Sequence, residues 1–208
     1  MAEHQHGHAG GHGLAHSHDK GPLADASVRL ARETDTPAVG LVQATVWRDA
    51  YAAVLPQEVL DQFEPQAFAS VWRRSLAAPP DGVYRLLVAL AGDQVVGFAA
   101  IGPSQDPDAS PETGELTAIA VHPQARRAGH GSRLLNAAVD TLRGAGAELM
   151  SMWVLSTDDD TRAFLAASGL SPDGAYRDRV VSESGDTARE VRLLANITPA
   201  EDPAAASP

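Results

Sequence analysis

"GELTAIAVHPQARRAGHGSRLLNAAV" (residues 114–139) joins an apolar strand-like run, a turn at Pro123, a Gly- and Arg-rich loop and the start of an amphipathic helical pattern. Residues 114–123 read as a strand that ends at Val121 and is stopped by Pro123. Downstream, Leu134, Leu135, Val139 and Leu142 recur at helical spacing, and Gly144 or Gly146 closes the helix. A helix that opens just after a strand leaves its first N–H groups unpaired at the positive end of its dipole, which is the setting an anion site needs. Gly129 and Gly131 permit positive φ and let a ligand approach the backbone. Spacing excludes two phosphate loops. A P-loop requires G-x-x-x-x-G-K-[ST], and this segment has no lysine. A dinucleotide fingerprint requires a third glycine at position 134, which is Leu134. Spacing alone leaves two readings open: an anion cradle, or a Gly-containing connection with a solvated arginine pair.

Composition narrows the function classes. The chain has 208 residues, 44% hydrophobic and 21% charged, enough for one domain with a core and too few for two typical ones. Its net charge of −11 argues against a nucleic-acid partner, because phosphate backbones attract basic surfaces. An anionic ligand therefore needs locally placed donors, and Arg126, Arg127 and Arg133 stand in the loop. With no cysteine, disulfides, thiolate metal sites and a Cys nucleophile are excluded. No apolar run approaches the roughly 18 residues that span a bilayer, so no membrane association is expected. The N-terminus is His/Gly-rich rather than basic and then apolar, so a cytoplasmic location is expected.

Six of the eight histidines lie in residues 1–26, among Gly, Ala and Ser. So few apolar residues cannot offset the ordering entropy, and the segment reads as a disordered arm, as does the tail 198–208. Residues 27–197 are the expected folded domain. His4, His6 and His8 are weak candidates for a borderline metal, without carboxylate or thiolate partners at defined spacing.

Working outward, "SVRLAR" (27–32) alternates as a strand, and Asp35–Thr36–Pro37 signals a helix start. Leu41, Val42, Val46 and Ala50 then follow helical spacing, and "PQEVLDQF" and "PQAFASVWRRSL" read as two further helical pieces. Residues 83–102 form a hairpin turning at "AGDQ". "AELMSMWVL" (147–155) is a strand, "DDTRAFLAASGL" a short helix, and two last strands lie near 175–181 and 188–195. The class is α/β or α+β around one sheet. His122 and His130 read as solvated loop residues.

Residues Arg126-Arg127-Ala128-Gly129-His130-Gly131 match [R/Q]-x-x-G-x-[G/A], and "AVHPQARRAGHGSRLL" strongly resembles the acetyl-CoA site of the GNAT superfamily of N-acetyltransferases. "GELTAIAVHP" resembles that family's fourth strand, "MWVLSTDDDTRAFLAASGLSPDG" its fifth strand and following helix, and "WRDAYAAVLPQEVLDQF" (47–63) the first helical region of a bacterial subgroup. The ordered match spans residues 28–194. It implies a central mixed, mostly antiparallel sheet of about seven strands, splayed between strands 4 and 5 and flanked by helices.

The resemblance also implies acetyl-CoA as acyl donor and a small-molecule or peptide primary amine as acceptor, with no metal required. Backbone groups of Ile119 and Val121 would pair with the pantetheine arm. The pyrophosphate would lie across 126–132, on the N–H groups of Arg127, Gly129, Gly131 and Ser132, with Ala128 and His130 in the same loop. Asp158 stands where the family pattern has an Asn and is a cofactor-binding candidate by that resemblance. Ile119 N–H would be the oxyanion donor and Glu115 the base or water-ordering carboxylate. Strict alternation places Glu115, Thr117, Ile119 and Val121 on one face of the strand. Trp47 and Tyr51, at i and i+4, are the acceptor-pocket candidates, and many relatives are homodimers. The family's tyrosine acid falls at Leu165, which has no proton to give. Two rival readings follow: a non-catalytic acyl-CoA sensor, and a metal-binding protein acting through its His-rich arm.

Overall fold

β1 (Ala26–Leu30), β2 (Arg85–Ala91) and β3 (Gln94–Pro103) run antiparallel, and the β2–β3 turn is made by Gly92 at φ +59° with Asp93. The computed structural model describes residues 26–182 and 185–199. The expected His-rich arm before Ala26, with His4, His6 and His8, and the tail beyond Pro199 lie outside the described residues. β4 (Thr113–Val121) joins β3, and β5 (Leu149–Leu155) lies parallel to β4. β6 (Ser171–Val180) and β7 (Thr187–Asn196) complete one seven-stranded sheet in the order β1-β2-β3-β4-β5-β7-β6. Every neighbouring pair except β4–β5 is antiparallel, so the sheet is the mixed, mostly antiparallel one expected.

The helices α1 (Thr36–Tyr51), α2 (Gln57–Leu60), α3 (Pro65–Ala77), α4 (His130–Gly144) and α5 (Asp159–Ala167) cover both faces. On one face Leu134, Leu135 and Leu142 of α4 and Leu165 of α5 pack on Leu87, Leu116 and Met150. On the other, Val39 and Val42 of α1 pack on Val88, Phe98, Ala118 and Ala120, with Trp72 of α3 at the edge. Three local expectations shift. Leu41 is 51% exposed, because the apolar stripe of α1 runs through Val39, Val42 and Ala44 instead. "PQEVLDQF" holds only the single turn of α2. β6 begins at Ser171, ahead of an irregular register between Pro172 and Tyr176 where Gly174 adopts φ +92°.

The most consequential shift lies in β4. Its pairing with β3 jumps from Ile101↔Leu116 to Ala100↔Ala118, which leaves Thr117 as a bulge whose hydroxyl donates to Ala100 O at 3.1 Å. A bulged residue breaks period-2 alternation. Leu116 therefore shares the α4 face with Ile119 and Val121, while Ala118 and Ala120 face α1. A Cβ on Gly114 would stand 2.5 Å from Leu142, so Gly114 also faces α4, and Glu115 between the two faces α1. The expectation that Glu115 shares a face with Ile119 and Val121 is thus corrected: the carboxylate lies across the sheet from their side chains.

Helices α1 and α3 cross at Gly40, where a Cβ would stand 2.3 Å from Pro65 O and 2.7 Å from Ala69 N. Both obstacles are backbone, so a methyl group must push the helices apart. Gly40→Ala is expected to cost about 1–3 kcal/mol, read as a Tm lower by several degrees in thermal unfolding. An unchanged Tm would show that this crossing tolerates separation.

Candidate active site

β4 and β5 are joined by only three residue pairs, Thr113↔Leu149, Gly114↔Met150 and Glu115↔Ser151. Beyond Glu115 the strands part. The His122 N–H donates to Val96 O at 2.8 Å, and Gly97 stands opposite Val121 and Ala99 opposite Ile119. In an antiparallel ladder, hydrogen-bonded and non-hydrogen-bonded pairs alternate. Since His122 is turned toward β3, the N–H and C=O groups of Ile119 and Val121 are turned away from it, into the gap. Arg126 reaches back here, its Nε donating to Val121 O at 3.3 Å. The gap is therefore a wedge with an unpaired strand edge on one side, ready for a chain that offers alternating donors and acceptors.

At the wide end the loop 126–129 turns into α4. Arg127 adopts φ +64° and Gly129 φ +81°. A non-glycine residue in that region is strained, and its persistence marks a loop held in shape. The first intrahelical bond of α4 is Arg133 N to Gly129 O at 3.1 Å, so the N–H groups of His130, Gly131 and Ser132 have no helical acceptor. Arg133 braces the loop: its Nη1 donates to Ala128 O at 3.0 Å, and its guanidinium lies 2.9 Å from where a Cβ on Gly129 would be. A Cβ on Gly131 would lie 3.4 Å from the Phe164 ring. Small residues, left-handed turns and unpaired N–H groups together form a concavity suited to an anion.

One residue of this segment differs from expectation. His130 is 3% exposed rather than solvated, and its Nδ1 has no hydrogen-bond partner among the described residues. Burial, with the nearby Arg133 charge, holds its pKa below the usual histidine range. Only its backbone N–H is offered to a ligand. Asp158 caps α5, its Oδ1 accepting from Thr161 N at 3.0 Å. Leu165 is fully buried against α4, with no polar group at the position of the family's tyrosine.

On the α1 face, beside the narrow end of the gap, ionisable groups converge. Glu115 is half-buried, and its pKa is raised chiefly by desolvation and next by the negative charge of Asp106. Glu190 is buried and accepts from Arg177 Nε at 2.6 Å, with Arg179 at 3.8 Å. Arg192 binds Asp106, Asp108 and Asp173 at 3.2, 2.7 and 2.7 Å, and Arg177 stacks 4.3 Å over Trp153. None of Asp106, Arg177, Glu190 or Arg192 stood out in the sequence, because each gains meaning only through partners on other strands.

Trp47 and Tyr51 sit on this side too. Trp47 stacks on Phe98 at 6.1 Å and Tyr51 meets the edge of Phe63 at 5.9 Å. Both line a groove between α1–α3 and the end of β6, with a cavity volume of about 960 Å³. Among the described residues there is no cluster of three or more His, Cys, Asp or Glu able to hold a metal ion.

Comparison with known proteins agrees with this geometry. The model of the Acetyltransferase (GNAT) family matches residues 29–170. A Mycobacterium tuberculosis protein named as a probable N-acetyltransferase is 27% identical over 149 residues, covering 71% of this chain and 80% of its own. The mycothiol acetyltransferase of Mycobacterium avium is 37% identical over 110 residues, 53% of this chain but only 29% of that longer protein. A Salmonella typhimurium structure described as a putative acetyltransferase with its cofactor acetyl-CoA superposes with a TM-score of 0.59 at 19% identity, covering 86% of this chain and 97% of its own.

Because the folded-state pKa of His130 lies below the unfolded value of about 6.5, the unfolded chain binds the extra proton. Stability from this site is complete above that pH and is lost as pH falls toward the folded pKa. The Tm of the wild type should therefore drop more between pH 7 and pH 5 than that of His130→Leu. Parallel Tm–pH curves for the two proteins would refute a neutral, buried His130.

Proposed function

The chain belongs to the GNAT acetyltransferase family and is an acyltransferase, and from that premise we propose that it moves the acetyl group of acetyl-CoA directly to a primary amine. The observation that carries this reading is the preformed gap: two strands that part after three pairs, one unpaired edge, and an anion-suited loop at its wide end. The pantetheine arm pairs with the edge at Ile119 and Val121. The pyrophosphate lies on the N–H groups of Arg127, Gly129, Gly131 and Ser132, and Arg126 and Arg127 add charge-assisted bonds from their side chains. Fixed dipoles and two arginines give an acidic protein a local anion site. Ala128 and the His130 backbone complete that loop, and Asp158, which caps α5, orders the start of that helix beside the gap.

In the transfer, the amine lone pair attacks the thioester carbonyl carbon. The C–N bond forms, the C–S bond breaks, and its electrons leave with the coenzyme A sulfur. Ile119 N–H faces the gap and meets the oxyanion. Glu115, on the opposite face at the narrow end, takes the ammonium proton through water, because it sits across the sheet from the Ile119 side chain. Burial raises its pKa toward the working range of a general base. The products are an N-acetyl amine, free coenzyme A and one proton.

Leu165 supports a second reading, a coenzyme A-binding sensor, since its fully buried side chain protonates nothing. Thiol release decides between them, and a chain with no cysteine adds no background. Amine-dependent release from acetyl-CoA is expected. Tight acetyl-CoA binding with no release across a broad amine panel would establish the sensor. In the active case kcat/KM should fall on the acid side with an apparent pKa above that of an ordinary glutamate, since the base works only when deprotonated. Glu115→Gln should lower the rate about 10²-fold or more and erase that acidic limb; an unaltered profile would remove Glu115 from the role of base.

The loop has its own test. Gly131→Asp places a carboxylate where the pyrophosphate is proposed to lie, and acetyl-CoA affinity measured by calorimetry should fall at least about tenfold. Unchanged affinity in a folded variant would sink the pyrophosphate assignment.

A further inference from the structure

The groove on the α1 face says more about the acceptor than the reaction alone requires. Its wall is built from Tyr51, Leu55, Val59, Phe63 and Phe68, with Val180 opposite at the end of β6. The aromatic rings interlock edge to face: Tyr51 meets Phe63 at 5.9 Å and 90°, and Phe63 meets Phe68 at 5.8 Å and 65°. Such a wall offers ring faces and edges to another ring. Its volume of about 960 Å³ lies at the upper end of the range for small-molecule sites.

Charge is distributed along it in one sense only. The described lining contains no carboxylate, and its single charged residue is Arg179, whose side chain is 61% exposed and whose ion pair to Glu190 spans 3.8 Å. The carboxylates stand at the inner end. Tyr51 has Glu190, Arg177 and Arg179 as electrostatic neighbours, and Glu115 has Arg177, Glu190 and Asp106. The inner end of the groove and Glu115 therefore flank the same Arg177–Glu190 pair. One ammonium finds carboxylates there, whereas a second ammonium farther out meets Arg179 and apolar walls. A polycation needs acidic partners along its whole length, and the described lining of this groove supplies none.

We propose that the acceptor is a monoamine carried on an aromatic or branched apolar body, which lies in the Tyr51–Phe63–Phe68 groove with its amine directed toward Glu115. This rests on the acetyl-transfer reading above. The bonds made and broken are those of that transfer, with acetyl-CoA as co-reactant and coenzyme A, the N-acetylated monoamine and one proton as products.

Thiol release by the full chain with acetyl-CoA, comparing phenethylamine and tryptamine with spermidine, tests the proposal. Calorimetric binding of phenethylamine to the protein saturated with coenzyme A runs in parallel. The aryl amines are expected to have a kcat/KM at least tenfold above that of spermidine. Phe63→Ala should raise KM for phenethylamine at least tenfold with kcat within about twofold, while acetyl-CoA affinity reports that the variant is folded. Val180 is 65% exposed, so Val180→Glu alters the groove with little demand on folding. It should weaken phenethylamine and improve spermidine, and it serves if Phe63→Ala does not fold. Spermidine used as well as or better than the aryl amines would overturn the proposal and leave acetyl transfer standing. Phenethylamine that binds, is weakened by Val180→Glu and is never acetylated would support the groove's ligand class and overturn the transfer reading. Aryl amines neither bound nor acetylated would overturn the proposal.

Discussion

The parting of β4 from β5 is the constraint on which the rest of the molecule depends. β4 is held along its length by β3, and β5 is paired from Leu149 to Leu155 with β7, so each is fixed by its far neighbour. Only three pairs join them to each other. Strand edges buried without partners are costly. The sheet tolerates this one because α4 runs beneath it, with Leu134, Leu135 and Leu142 packed against Leu116, Ile119 and Val121. Gly114 matters for the same reason: the absence of a side chain lets Leu142 close against the point where the strands diverge. Arg126 occupies part of the unpaired edge through its bond to Val121 O, a bond that an incoming chain can displace.

The bulge at Thr117 converts this opening into a site with two sides. Without it, Glu115 would point toward the packed α4 face, where a carboxylate has no partner. With it, the side chains of Ile119 and Val121 stay in the apolar layer while Glu115 turns to the face that carries Tyr51, Arg177 and Glu190. Anion-suited N–H groups and acid-rich chemistry are thereby separated by the thickness of a sheet in a protein whose net charge is −11. Local dipoles act at short range at the α4 end. On the other face the three aspartates around Arg192 fix the 104–112 loop to β6 and β7, which keeps Asp106 close to Glu115.

What the sequence made legible follows from the range of the interactions concerned. The strand–loop–helix of 114–139 and the hairpin at "AGDQ" are set by residues within a few positions of one another, and each is found where local chemistry places it. The face of Glu115 was not legible, because a bulge inserts one residue without any composition signal and reverses every later assignment. Burial of His130 was equally hidden: a polar residue between two glycines looks solvated until α4 and Arg133 close around it. The Arg192 cluster joins positions separated by 84 and 86 residues, so no window on the chain contains it. Leu41 shows the limit within one helix, since helical spacing fits more than one stripe and tertiary packing selects the stripe through Val39 and Val42.

Leu165 bears on energetics rather than on fold. The family resemblance puts a proton-donating tyrosine at this position, and a leucine there fills the α4–α5 interface instead. The cost depends on how much that proton matters. A thiolate is a far better leaving group than an alkoxide, because free thiols ionise near pH 8.5 while bulk water has a pKa of about 15.7. The C–S bond can therefore break before the sulfur is protonated, with solvent supplying the proton afterwards through the open gap. The harder proton is the one on the attacking nitrogen, which must leave for the lone pair to form the new bond. In the transfer proposed above that proton goes to the α1 face, where Glu115 is half-buried with a raised pKa. In the proposed transfer, a chain with Glu115 on this face and leucine at position 165 retains the group on which formation of the new bond depends.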